Sequence, residues 1–348
     1  MSIQKLTSRL ACAVAVVALA EGLSGTVVAA DMPTVRLMVG GIDKQIYLPY
    51  QLAQSLGLYQ KYGVNVELST EQAGGVGAED ALISGQVDMA GAWYNHTIQF
   101  QEKGKNVIGV IQLSVAPGER IMCAKGADVK SPTDWKGKSV GVTDLGSGTD
   151  DLVSYVSARA GLQPTDYTKI AAGAGQTMIA ALKFGKAVCG ITSQPTVNAI
   201  EKLGVGYSAI DLSTGAGVQK WLGGEFPAAS VLANADWVDS HKDATQRVVN
   251  ALVATLAWMK THTAADVAAV MPADFVSNPL TSKDEYISAL QKDWGQFNLD
   301  GVGIMPENGP QTVNDIEKAA GKIKGTADLS KTFTNDFVIA AQKQEGIK

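Results

Sequence analysis

The chain has 348 residues, 46% of them apolar and 18% charged, which is long enough for two domains and too apolar for a disordered tail. A formal net charge of −5 offers no basic footprint for nucleic acid. Aromatics are sparse at 6% while Gly is frequent at 37 residues, a balance that suits an α/β protein with many strand-to-helix turns.

Lys5 and Arg9 precede an uninterrupted apolar run from Leu10 to Ala20, and Val28-Ala29-Ala30 closes the segment with small side chains. The run is too short for a bilayer, which needs about 20 residues. The order reads as a secretory signal over 1–30, cleaved after Ala30. Cys12 lies inside the run rather than at its end, which disfavours a lipoprotein anchor. Cleavage removes two cations and one acid, leaves a chain expected to be exported, and leaves Cys123 and Cys189. Both cysteines fall in strand-like stretches of one lobe. An oxidising compartment permits a bridge, with two buried free thiols as the expected state.

Beyond residue 31 one pattern occurs twice. Val35 to Val39 reads as a strand, Leu48 to Ser55 as a helix, Val64 to Leu68 as a strand. A helix ending Ala81-Leu82-Ile83-Ser84-Gly85 and the strand Val87 to Gly91 follow. The second copy has strand Ser139 to Thr143, helix Asp151 to Ala160, strand Tyr167 to Ala171, a helix ending at Gly185, and strand Val188 to Thr192. Alternating strands and helices imply mostly parallel sheets flanked by helices, and two copies imply two lobes. Further on, Ala244 to Thr261 is an amphipathic helix by spacing, and Ser282 to Phe297 and Gln311 to Lys322 are helix candidates.

Ligands of parallel sheets bind beyond the carboxyl ends of the strands, so the turns there hold the candidate site. Ser147, Gly148 and Thr149 open a helix after a strand, where free N–H groups favour an anion. Gly74 to Val76, with Gly75, is the matching turn of the first copy. Gln45 and Tyr47 precede the first helix, Tyr94 follows the third strand, and Ser193 and Gln194 follow its counterpart. Tyr94 is expected to face a ligand and Trp93 to pack in the core. Glu119 beside Arg120 is expected to reach the cleft, either paired with a cation or holding a ligand's ammonium.

Enzyme signatures are weak. Neither G-x-G-x-x-G nor G-x-x-x-x-G-K-[ST] occurs, and Ser147 lacks the G-x-S-x-G frame because Leu145 stands at its first Gly. The histidines His96, His241 and His262 have no zinc-ligand spacing. Asp150-Asp151 reads as a helix N-terminal charge preference. No catalytic residue, metal or cofactor is expected.

Several segments nevertheless form a familiar set. They are Leu52 to Leu68 (LAQSLGLYQKYGVNVEL), Ala81 to Asp88 (ALISGQVD), Asp134 to Val142 (DWKGKSVGV) and Gly173 to Gln176. The chain resembles, over about residues 33–265, the periplasmic substrate-binding proteins of nitrate/sulfonate/taurine ABC importers, the SsuA/THI5-like class with its thiamine-pyrimidine branch. Cys189 departs from the acidic residue common there. The resemblance implies a two-lobed type II periplasmic binding protein with crossings near Val115 to Arg120 and Leu222 to Pro227. Lobe 1 would be 31–115 plus 223–348, and lobe 2 would be 116–222. It implies a periplasmic monomer that binds a small organic anion (sulfonate, taurine-like or carboxylate), performs no reaction, and delivers the anion to a permease in the inner membrane. The alternative is an exported enzyme or receptor related to the pyrimidine-precursor proteins, for which His96 is the one candidate group.

Overall fold

The computed structural model describes residues 32–71 and 75–347. Residues 1–30, expected to be an export signal, and Gly74 lie outside the described residues. Strands β1 (Thr34–Gly40), β2 (Asn65–Glu71), β3 (Met89–Trp93) and β4 (Val107–Gln112) come first in the chain. Then follow β5 (Glu119–Ala124), β6 (Ser139–Val142), β7 (Thr168–Ala171), β8 (Cys189–Ser193), β9 (Gly206–Asp211) and β10 (Ala229–Asn234). They form two five-stranded sheets, ordered β2-β1-β3-β10-β4 and β7-β6-β8-β5-β9.

The two orders are the same order. β6 to β9 repeat β1 to β4, and in each sheet the fourth place is filled by a strand that runs against the rest. The visitor to the first sheet, β10, arrives from the second, and β5 makes the reverse journey. The sheets are therefore mostly parallel, as expected, with one antiparallel strand each.

Between strands lie α1 (Leu48–Ser55), α2 (Leu58–Lys61), α3 (Val76–Ile83), α4 (Asn95–Glu102), α5 (Gly148–Arg159), α6 (Gln176–Lys183) and α7 (Thr196–Lys202). Gly57 sits at φ 68° between α1 and α2, the left-handed position that stops a helix without Cβ strain. The long helix Lys242–Thr261 buries Val248, Val249, Leu252, Val253, Leu256 and Met259, a stripe at helical spacing. The helix expected to run to Phe297 ends at Lys292, and Asp293 turns inward to meet Arg120 with bonds of 2.7 and 2.9 Å. No helix among the described residues is long and apolar enough to cross a membrane.

The expectation of two free thiols is corrected. Cys123 of β5 stands directly opposite Cys189 of β8, with Cα atoms 3.9 Å apart, and the two are joined in a disulfide. The visiting strand creates the pair, since it sets residues 66 positions apart side by side. A thiol titration of the denatured, unreduced chain should find Cys12 alone, and none after cleavage at Ala30. Cys189→Ser should lower unfolding free energy by about 2–4 kcal/mol in denaturant titrations. Equal stability of parent and variant would show that the bridge constrains nothing.

Candidate functional site

The site forms where strands end. β3 closes on Trp93, and β8 closes on Ser193, whose partner across the sheet is Glu119, the first residue of β5. Because β5 runs backwards, its start lies among the carboxyl ends of its neighbours. Glu119 is thus a strand residue rather than part of a crossing segment.

Lys44, Ile46, Tyr47, Gly75, Trp93, His96, Glu119, Thr143, Ser147, Gly148 and Thr149 enclose one cavity drawn from both sheets. Its volume is about 20 Å³, measured at the centres of water-sized spheres, which is room for one or two waters. A larger solute requires the lobes to part. A separate groove of about 840 Å³ lies between Val115, Glu225 and the 294–308 segment, and shares no residue with the cavity.

One wall is a helix start. Ser147 caps α5, its hydroxyl accepting from the Asp150 amide and donating to the Asp144 carbonyl at 2.7 Å. Thr143, Ser147 and Thr149 hydroxyls form a triangle with edges of 2.7, 2.8 and 3.1 Å. The first N–H groups of α5, those of Gly148 and Thr149, have no intrahelical acceptor and border the cavity. Gly148 also meets the facing lobe so closely that a Cβ would overlap the Trp93 ring.

The opposite wall is acidic and buried. Glu119 is 3% exposed, its Oε2 has no hydrogen-bond partner, and burial pushes its pKa up to about 7 against the pull of Lys44 and Arg120. Lys44 donates to the Gly40 carbonyl at 3.0 Å, and burial lowers its pKa. Behind Gly75, Glu79 keeps Oε1 unpartnered and sets Oε2 3.2 Å from His96 Nδ1. Burial raises the Glu79 pKa well above its usual range and lowers that of His96 to about 3, so the imidazole is uncharged at neutral pH. His96 thus has a partner that sequence spacing did not reveal.

Of the expected site residues, Tyr47, Gly75, Glu119, Ser147, Gly148 and Thr149 are brought together. Ser193 lines an adjoining space of about 210 Å³ that shares Lys44. Gln45 and Gln194 meet each other instead, the Gln45 amide donating to the Gln194 carbonyl at 3.2 Å. Two aromatic assignments are reversed. Tyr94 is fully buried away from the cavity, with its hydroxyl 2.5 Å from Thr332 Oγ1. Trp93 lines the cavity beside Tyr47. The end of β3 decides it: Trp93 is the last strand residue, while Tyr94 already has helical backbone angles (φ −58°, ψ −35°) in the turn that opens α4.

Asp150 and Asp151 do more than favour a helix start. Lys322, from the segment after helix Gly309–Ala319, reaches Asp150 at 2.6 Å and Asp151 at 2.7 Å. Lys169 also pairs with Asp150. Asn95 and Gln99 of α4 each donate to Asp151 at 2.8 Å and also to Glu317, at 3.2 and 2.6 Å. The result is a buried latch from one sheet's helices to the other's.

Residues 46–265 match the NMT1/THI5-like family. The chain belongs to that family. Its fold is the two-lobed α/β fold of periplasmic binding proteins. A protein of Bordetella bronchiseptica superposes with a TM-score of 0.83 at 27% identity, covering 91% of this chain and 99% of its own. The alkanesulfonate-binding protein SsuA of Xanthomonas axonopodis, bound to MOPS, gives a TM-score of 0.69 at 16% identity, with 88% and 99% covered. The nitrate-binding protein NrtA of Synechocystis gives 0.69 at 17%, with 90% and 89% covered. No curated protein matches the sequence significantly.

Two measurements test this geometry. Gly148→Ala forces a Cβ into Trp93 and should oppose lobe contact by about 1–3 kcal/mol. Small-angle scattering should record a larger radius of gyration, restored by adding Trp93→Ala. An unchanged radius would mean that the two residues do not hold the lobes together. The second test is pH. A carboxyl whose pKa is raised from 4.5 to about 7 gives stability that is complete below 4.5 and lost as pH climbs to 7. Asp151, raised by burial to about 6, acts with the same sign. His96, lowered to about 3, acts with the opposite sign up to pH 6.5, so the test is the difference between chains: the melting temperature of Glu119→Gln should rise relative to that of the parent across that window. Parallel curves for parent and variant would exclude a raised Glu119.

Proposed function

We propose that this chain is the solute-binding component of an ABC-type importer. On this reading it is exported by the 1–30 signal, works as a periplasmic monomer without cofactor, metal or reaction, and hands its ligand to an inner-membrane permease. Its lobes are 31–115 plus 223–348, and 116–222, hinged where the chain crosses between sheets. Family membership supports this reading, as do the importer-type binding proteins that share the fold.

The ligand is a small organic anion that also carries a cationic nitrogen, as an amino-sulfonate does. The observation that carries this is Glu119, whose buried, unpartnered oxygen faces the same cavity as Lys44 and the start of α5. The anionic head sits on the Gly148 and Thr149 amides, where the helix dipole favours negative charge. The ammonium sits on Glu119 and, by pairing, restores the charge that burial discourages. Tyr47 and Trp93 wall the organic part. The enzyme reading is less well supported. The Ser147 hydroxyl is engaged by Asp144, and Cys123 and Cys189 are spent in the disulfide, so His96 and Glu79 have no evident nucleophile to serve.

Calorimetric titration with taurine and with ethanesulfonate tests the ligand class. Glu119→Gln should weaken taurine about 10- to 100-fold, the worth of one charge-assisted bond, and leave ethanesulfonate unchanged. Unchanged affinity for both removes Glu119 from the site. Binding of neither, by the parent, overturns the anion reading.

A further inference from the structure

The edge of the second sheet farthest from the cleft carries an arrangement that solute binding does not use. Three strands end or begin there with a lysine close by: Lys138 before β6, Lys186 before β8 and Lys125 after β5. Register holds them side by side, since the Ala124 amide donates to the Val188 carbonyl at 2.9 Å and the Val188 amide to the Ser139 carbonyl at 2.8 Å. The Lys125 amide donates to the Val205 carbonyl at 2.7 Å, which brings the turn before β9 to the same edge.

Two apolar side chains project from this edge. Phe184, at the end of α6, is 71% exposed, and Leu203, at the end of α7, is 61% exposed. They are the two most exposed large apolar side chains among the described residues. Tyr207 lies beside them at 37%, its hydroxyl tied to the Ala127 carbonyl. Lys183 reaches over the Phe184 ring, 5.8 Å from its centroid. Among the described residues, Lys125, Lys138, Lys183 and Lys186 take part in no ion pair. The nearby acids Asp128 and Asp166 are paired with Lys130 and Lys136, and Asp134 accepts from the Lys130 and Ser131 amides. Glu201 is the exposed acid that remains. The edge is thus basic in a protein whose net charge is negative.

We propose that this edge docks on an anionic phospholipid surface. Phe184 and Leu203 enter the headgroup boundary while the lysines meet lipid phosphates, with their stems lying along the apolar zone. Shape favours a bilayer over a folded partner. The apolar groups stand singly at two helix ends, with lysines around them, as suits a headgroup boundary that takes single side chains. The inference is independent of the ligand reading, because none of these residues lines the interlobe cavity.

Co-sedimentation with extruded vesicles tests it, using the full chain and its variants so that the N-terminal segment is common to all. The triple variant Lys125→Glu, Lys138→Glu, Lys186→Glu should bind phosphatidylglycerol-containing vesicles about tenfold less than the parent. The difference should vanish in high salt, and on pure phosphatidylcholine the two should not differ. Phe184→Ser with Leu203→Ser, which leaves every charge in place, should also weaken binding to the anionic vesicles. Equal binding of parent and triple variant to anionic vesicles overturns the proposal. So does capture of an acidic polyglutamate peptide by this edge without any effect on vesicle binding, which would mark it as a protein-docking face.

Discussion

The rest of the molecule depends on the exchange of one strand between two otherwise parallel sheets. Each sheet accepts β5 or β10 next to its third strand and hydrogen-bonds it on both sides, so neither lobe is complete without chain supplied through the other. Reversed direction has a chemical consequence. A parallel strand contributes its last residue to the cleft, whereas a visitor contributes its first. Glu119 therefore arrives beside Ser193, the last residue of its neighbour β8, at the carboxyl end of the sheet. The same reversal sets Cys123 against Cys189 four pairs further down the ladder.

Contact between the lobes is polar where it is buried. Asp150, Asp151, Glu317, Lys322, Asn95 and Gln99 form one network, and Arg120 with Asp293 forms another at the base of β5. Charges buried in this way cost several kcal/mol each unless their partners are well placed. Such contacts are poor glue and good discriminators, since a small displacement leaves a charge unpaired. Asp151 shows the strain of the arrangement: burial raises its pKa to about 6 although Lys322 pulls it down.

Within the cavity the two walls have opposite characters. The α5 start presents amides and hydroxyls, while Glu119 presents a carboxyl with an oxygen that lacks a donor, and Glu79 keeps another such oxygen behind Gly75. Buried polar atoms without partners are rare in folded proteins. Burial favours the uncharged form of both Glu79 and His96. Glu119 lies close enough to Lys44 and Arg120 to ionise near neutrality, so it remains available to a cation.

Much of this was legible in the sequence. Strand and helix periodicity, Gly at helix stops and the spacing of the two copies depend on neighbours close in the chain, so they announced two similar α/β lobes and the α5 turn. Helix Lys242–Thr261 was equally plain, because its burial follows from spacing alone. The sequence could not show that β5 and β10 change sheets, since pairing partners lie 60 or more residues away and leave no local mark. The sequence pointed to Glu119 at the cleft and left the bridge open, but the pairing that makes the disulfide, the Asp293–Arg120 pair that ends a helix early, and the Lys322 latch onto Asp150 and Asp151 were hidden for the same reason. Trp93 and Tyr94 make the point in two adjacent residues. The sequence offered Tyr94 as the ring wall and Trp93 as core, and only the point at which β3 stops and α4 begins, a matter of the neighbours β1 and β10 that pair with the strand, set which one lines the cavity.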